Sequence, residues 1–83
     1  MQIQMRYFAA IREALGTGAE TWQTEARTAG ALLAELRQRS PAHAQALAEG
    51  RALRLAVQQV MAGPDTLLVD GAEVGVFPPV TGG

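Results

Sequence analysis

Cysteine is missing from this chain of 83 residues. That excludes disulfides, thiolate metal sites and a cysteine nucleophile. Any sulfur chemistry here must use an atom that no side chain of this kind supplies. Lysine is missing too, since all seven basic residues are arginine. No side chain can form a Schiff base, and no copy can be joined to another through a lysine isopeptide. The formal net charge is only −1 and no basic run occurs. Nucleic acid therefore finds no electrostatic footprint. No apolar run is long enough to span a bilayer, and Met1-Gln2-Ile3-Gln4-Met5-Arg6 alternates without a secretory pattern. Together these absences predict a cytoplasmic protein that contacts neither nucleic acid nor membrane.

What is present is apolar, at 48% of residues, enough for one folded domain. A chain this short buries only about 60–65% of its unfolded surface, so the core is thin. Gln2 to Phe8 alternates as a strand, with Ile3, Met5 and Tyr7 on one face. Ala9 to Leu15 has helical composition and stops at Gly16; Glu20 to Glu25 reads as a second strand, antiparallel to the first. Thr28 caps a helix from Ala29 to Arg39, whose Ala29, Leu32, Leu33 and Leu36 keep helical spacing. Ser40-Pro41 ends it, and a short helix from His43 to Leu47 follows. Arg54 to Gln59 reads as one strand with Leu55 and Val57 inward, Gly63-Pro64-Asp65 as a turn, and Thr66 to Val69 as a short strand. After the Asp70-Gly71 turn, Glu73 to Phe77 forms the last strand.

This order predicts an α+β roll: a mixed sheet of four to five strands on one main helix. The arrangement that fits is the ubiquitin-like β-grasp, with the first and last strands parallel neighbours. Residues 1–77 then make the β-grasp domain and 78–83 a flexible, functional C-terminal tail. On the outer sheet face Phe8 shares a side with Gln4 and Arg6, and Phe77 with Glu73 and Gly75. Two phenylalanines side by side on a polar face form a candidate partner surface. If strand parity breaks at its end, Phe8 turns inward instead. Met61 either extends that patch or packs in the core. Arg12 either meets an acidic group on a partner or is a solvated surface residue.

The sequence stops at Pro78-Pro79-Val80-Thr81-Gly82-Gly83. Two glycines without Cβ atoms pass through a channel too narrow for side chains. The prolines keep the approach extended and out of any sheet. The pattern predicts a stiff spacer, a thin tip and a terminal carboxylate as the working group. His43 is a lone histidine, and Asp65, Asp70 and Glu73 fit turn geometry better than metal binding. No metal site is expected.

Four segments carry a family resemblance. Tyr7-Phe8-Ala9-Ala10-Ile11-Arg12-Glu13-Ala14-Leu15-Gly16, Ala56-Val57-Gln58-Gln59, Leu68-Val69-Asp70-Gly71-Ala72-Glu73-Val74 and Phe77 through Gly83 occur in order along the chain. They resemble the signatures of the molybdopterin synthase small-subunit family, the last throughout its length. Gln58 stands where the family has Asn, and Ala72 where it has the second Asp of Asp-Gly-Asp. The resemblance implies a sulfur carrier. A ubiquitin-activating-like adenylyltransferase would consume ATP to adenylate the Gly83 carboxylate, and a sulfur donor would convert it to a thiocarboxylate. Gly82 and Gly83 would enter the large subunit, where the sulfur builds the dithiolene of molybdopterin, in an assembly of two small and two large subunits. Phe8, Arg12, Met61, Phe77, Pro78, Pro79, Val80 and Thr81 would contact the partners. No cofactor is bound by the carrier, and catalytic side chains come from its partners. Alternatives are a thiamine-type or other sulfur carrier, a ubiquitin-like protein modifier attached through Gly83, and an interaction domain with an inert tail.

Overall fold

The structure is a computed structural model and describes residues 1–48 and 52–79. Its elements are β1 (Gln2–Tyr7), α1 (Ala9–Leu15), β2 (Ala19–Gln23), α2 (Ala29–Arg37), α3 (Pro41–Ala46), β3 (Arg54–Val57), β4 (Val60–Ala62) and β5 (Glu73–Phe77). They form a ubiquitin-like β-grasp. One five-stranded sheet has the order β2-β1-β5-β3-β4. β1 and β5 are parallel, with Tyr7 opposite Val76, while the remaining pairs are antiparallel.

Alternation builds the inner face. Ile3, Met5 and Tyr7 of β1, Val74 and Val76 of β5 and Leu55 of β3 are buried together. Against them α2 lays Ala29, Leu32, Leu33 and Leu36, the residues that helical spacing puts on one side. The Thr28 side chain accepts from the Ala31 amide and so caps α2. Pro41 opens α3 rather than merely closing α2, and the Ser40 side chain caps it through the His43 amide. Among the described residues there are thus three helices, with α2 the longest.

Two strand readings are corrected. The expected strand from Arg54 to Gln59 is a hairpin. Gln58 and Gln59 turn the chain at φ 52° and 67°, and Val60–Ala62 returns as edge strand β4. Such a two-residue turn normally advertises itself with Asn-Gly; Gln-Gln hides it. Gln58 is held there by its own side chain, whose Oε1 accepts from the Glu73 amide at 2.6 Å. The expected strand from Thr66 to Val69 is not one. Its backbone bonds to the irregular entry of α2, through the Ala29 amide to the Thr66 carbonyl and the Leu68 amide to the Arg27 carbonyl. Only Leu67 forms an isolated bridge, with Thr28. The Asp70-Gly71 turn is as read, with Gly71 at φ 83°. Asp70 and Gly71 grip the start of β1: the carboxylate accepts from the Gln2 amide and the Gly71 amide donates to the Gln2 carbonyl. Ala72 faces the core and is buried, so an apolar residue suits that position.

A polar network ties β1 and β2 to the helical layer. The Tyr7 hydroxyl donates to Glu20 at 2.6 Å, and Arg39 donates to the same carboxylate oxygen at 2.7 Å. The Arg39 guanidinium lies over the Trp22 ring, 4.1 Å from its centroid. Trp22 Nε1 and the Thr24 hydroxyl both donate to Glu35 of α2. Burial pushes the Glu20 carboxyl up, but hydrogen bonds from Arg39 and Tyr7 outweigh it and hold it below its usual range. Burial, then the charge of Arg39, lowers His43.

Two outcomes follow from these contacts. Gln59→Gly relieves a left-handed side-chain conformation worth about 1–2 kcal/mol and gives back about 0.5–1 of it as unfolded-state entropy. Urea unfolding should show a small net gain in stability. Acid should weaken the fold in two stages. His43, depressed in the folded chain, contributes fully above the unfolded histidine value of about 6.5 and progressively less as pH falls through its folded value. Glu20, also depressed, contributes fully above the unfolded value of about 4.3, and this is lost as pH falls through its folded value. In urea titrations from acid to neutral pH, His43→Gln should remove the first stage and Glu20→Gln the second.

Candidate functional site

Strand parity decides what the outer face of the sheet carries. With Ile3, Met5 and Tyr7 inward, Gln4 and Arg6 point out, and Phe8 (41% exposed) continues their row. β5 alternates the same way, so Glu73, Gly75 and Phe77 face out. Parallel pairing of β1 with β5 brings the two phenylalanines together at the same end of the sheet. Their rings stack with centroids 4.4 Å apart and planes 2° from parallel. Phe8 does not turn inward.

Gly75 makes that stack possible. A Cβ on Gly75 would stand 3.2 Å from the Phe77 ring and 3.3 Å from the Phe8 ring. Without one, both rings lie close to the strand. Ala56 sits opposite Gly75 across the β3–β5 pair, and Met61 sits opposite Ala56 across the hairpin. The small pair Gly75 and Ala56 floors an open hollow of 440 Å³, walled by Phe8, Phe77 and Met61 on its apolar side and by Arg6, Glu73 and Gln59 on its polar side. Arg6 and Glu73 pair across β1 and β5 at 3.5 Å. Met61 is 60% exposed and belongs to this surface, not to the core.

Of the expected partner residues, the fold therefore gathers Phe8, Met61 and Phe77. Pro78 and Pro79 follow directly from the end of β5, half-buried and exposed respectively. Arg12 does not line the hollow; its aliphatic stem runs over Gly18, where a Cβ would meet Cδ at 2.8 Å. Val80, Thr81, Gly82 and Gly83 lie outside the described residues. Sequence reasoning missed Arg6, Gln59, Glu73, Ala56 and the seat at Gly75. Outward parity was signal enough for Arg6 and Glu73. Gln59 and Ala56 became visible only once the hairpin was known. Among the described residues no group of three or more His, Cys, Asp or Glu side chains could hold a metal ion, and no helix is long and apolar enough to cross a membrane.

The sequence profile of the ThiS family matches residues 5–83. The chain belongs to that family. The molybdopterin synthase sulfur carrier subunit of Escherichia coli (strain K12) is 41% identical over 81 residues, covering 98% of this chain and 99% of the relative. A solved structure described as a putative molybdopterin converting factor, subunit 1, from Pyrococcus furiosus is 29% identical, with a TM-score of 0.79 over 96% of this chain and 99% of the other. The fold is also that of a structure of subunits 1 and 2 of molybdopterin-converting factor in complex, from Helicobacter pylori, at 24% identity and a TM-score of 0.66 with full coverage of both chains.

The seat beneath the rings is open to a direct check. Gly75→Val should push the two rings off the strand and cost about 1–3 kcal/mol, as overpacking does. Urea unfolding reads the cost. Ring-current shifts in the NMR spectrum read the separation of Phe8 from Phe77.

Proposed function

We propose that this chain is the sulfur carrier subunit of a molybdopterin synthase. The observation that carries this reading is the near-complete alignment, at 41% identity, with a protein of that name. The outward Phe8–Phe77 stack, at the point where β5 gives way to Pro78-Pro79, supports it.

The proposed working atom is the main-chain carboxyl carbon of Gly83. A carboxylate is a poor acyl donor, so it must first gain a leaving group. The carboxylate attacks the α-phosphate of ATP in an adenylyltransferase of the ubiquitin-activating type, and pyrophosphate leaves. Sulfur at the sulfide level, delivered by a sulfur donor, then attacks the acyl carbon; the bond from that carbon to the AMP oxygen breaks, AMP leaves and a thiocarboxylate remains. That places sulfur on a chain that has no cysteine. In the large subunit the sulfur passes to the cyclic pyranopterin precursor and water restores the carboxylate; two such transfers complete one dithiolene. Gly82 and Gly83 let the tip enter both partner sites, and the partners supply the acid, base and oxyanion stabilisation. The carrier itself binds no cofactor in this scheme. Because loading consumes ATP, the cytoplasm is the proposed compartment.

The large subunit is the proposed occupant of the face formed by Phe8, Met61 and Phe77. Ordering the six residues 78–83 costs about 6–12 kcal/mol, less the part that two prolines have already spent. Full burial of two phenylalanines returns only about 3–6 kcal/mol, and the stack has already taken some of it. The tail must therefore add main-chain hydrogen bonds inside its partner, with the sheet face as anchor. Arg12 stands outside this face and has no part in the proposed anchor.

Deleting Gly83, or adding one residue after it, should abolish sulfur transfer in a reconstituted system while leaving urea unfolding unchanged. Intact mass separates the alternatives. A carrier gains the difference between sulfur and oxygen, a modifier appears in larger adducts, and an inert domain shows neither. Phe77→Asp should raise the Kd for the large subunit at least about tenfold, from one lost aromatic contact of about 1.5–3 kcal/mol. Calorimetry showing an unchanged Kd would remove the anchor.

A further inference from the structure

Phe8 occupies a position where local preference argues against it. It is the N-cap of α1, a place that favours Ser, Thr, Asp or Asn, and it provides no side-chain cap. No acidic residue stands in the first turn to compensate. The next residue, Ala9, adopts φ 50°, a left-handed conformation that costs a non-glycine residue free energy. Two local penalties thus flank one ring. What they secure is geometric. Extended backbone at Phe8 (φ −122°, ψ 153°) prolongs the outward row of β1 by one residue before the chain reverses into α1. The Phe8 amide donates to the Val76 carbonyl at 3.2 Å, which pins this residue to the last turn of the β5 ladder. Its ring then covers Phe77, the residue immediately before Pro78.

We propose that Phe8 is a positioning residue for the tail: its ring, stacked on Phe77 and seated on Gly75, sets the direction in which Pro78-Pro79 leave β5. Phe77 is the hinge residue by place, since the ladder stops there and proline, lacking an N–H, cannot extend it. A free side chain at that hinge would let the stiff proline pair swing as a lever. Flat contact between two rings removes that freedom, and the absent Cβ of Gly75 lets the pair rest on backbone rather than on a movable side chain. The role deepens the carrier reading and rests on it for its consequence, because a tail aimed before docking has less entropy to lose in the partner's channel. It is separate from the contact that Phe8 makes with a partner, since the brace acts in the free chain.

The absence of cysteine makes the test clean. Spin labels on Gln23→Cys and Thr81→Cys report the spread of distances between the edge of the sheet and the tail in the full, free chain. Phe8→Leu keeps apolar bulk but not a flat ring; Phe8→Tyr keeps the ring. Far-UV circular dichroism confirms that both remain folded. The expected result is a distance distribution broadened about twofold by Phe8→Leu, with single-turnover sulfur transfer at saturating large subunit slowed about tenfold, and both readings restored in Phe8→Tyr. Equal widths in the parent, Leu and Tyr chains would overturn the brace. A broadened distribution with an unchanged transfer rate would uphold the brace in the free chain and overturn its consequence for sulfur transfer. Failure of the parent chain itself to transfer sulfur would instead overturn the carrier reading, while the widths still judge the brace.

Discussion

Parallel pairing of β1 with β5 is the constraint on which the molecule turns. The first and last strands of the chain meet at the centre of the sheet, Gln4 beside Glu73 and Tyr7 beside Val76. Parallel strands cannot be joined by a tight turn, so everything between them must be a crossover. Here the crossover carries α2, which covers the inner face with Leu32, Leu33 and Leu36. The same register settles the outer face. Because both strands run the same way, Phe8 and Phe77 emerge at one end, and the tail begins there too. A slip of one residue would send Val74 and Val76 outward and the phenylalanine inward.

The layer behind that sheet is held by unusual means for so small a core. Glu20 receives hydrogen bonds from Tyr7 and Arg39 at one oxygen, and Arg39 covers Trp22. Glu35 takes the indole N–H of that tryptophan and the hydroxyl of the buried Thr24. Among the described residues no buried side-chain nitrogen or oxygen lacks a partner, which is what makes partial burial tolerable. Arginine suits the position of residue 39 better than lysine would, since its flat guanidinium can stack and pair at once. The network fixes Tyr7, one residue before Phe8, so the interior and the outer aromatic face share a strand.

Much of the fold was legible from local pattern. Alternation in Gln2–Tyr7 and Glu73–Phe77, the spacing of the leucines in α2, its Thr28 cap and the Asp70-Gly71 turn are short-range signals, and each is found in place. The errors have one cause. β4 and the non-strand at Thr66–Val69 were decided by where backbone partners lay, not by residue type. Val60, Leu67 and Val69 are all exposed apolar residues, yet only the first found a ladder. At the site, Phe8 and Phe77 could be placed on one face by counting. That they stack, that Gly75 is their seat and that Arg12 lies elsewhere could not, because these are contacts between strands far apart in the chain.

By itself the sequence determined which side-chain chemistry was absent from this protein: it has no thiol and no lysine amine. It also determined which faces were apolar, since alternation and helical spacing are properties of adjacent residues. Tertiary structure alone decided which of those residues became neighbours. The meeting of Phe8 with Phe77, the hollow floored by Gly75 and Ala56, and the pairing of Glu20 with Arg39 all depend on long-range closure of the sheet and helices. Such closure is settled by the packing of the whole chain, which no local stretch of residues encodes.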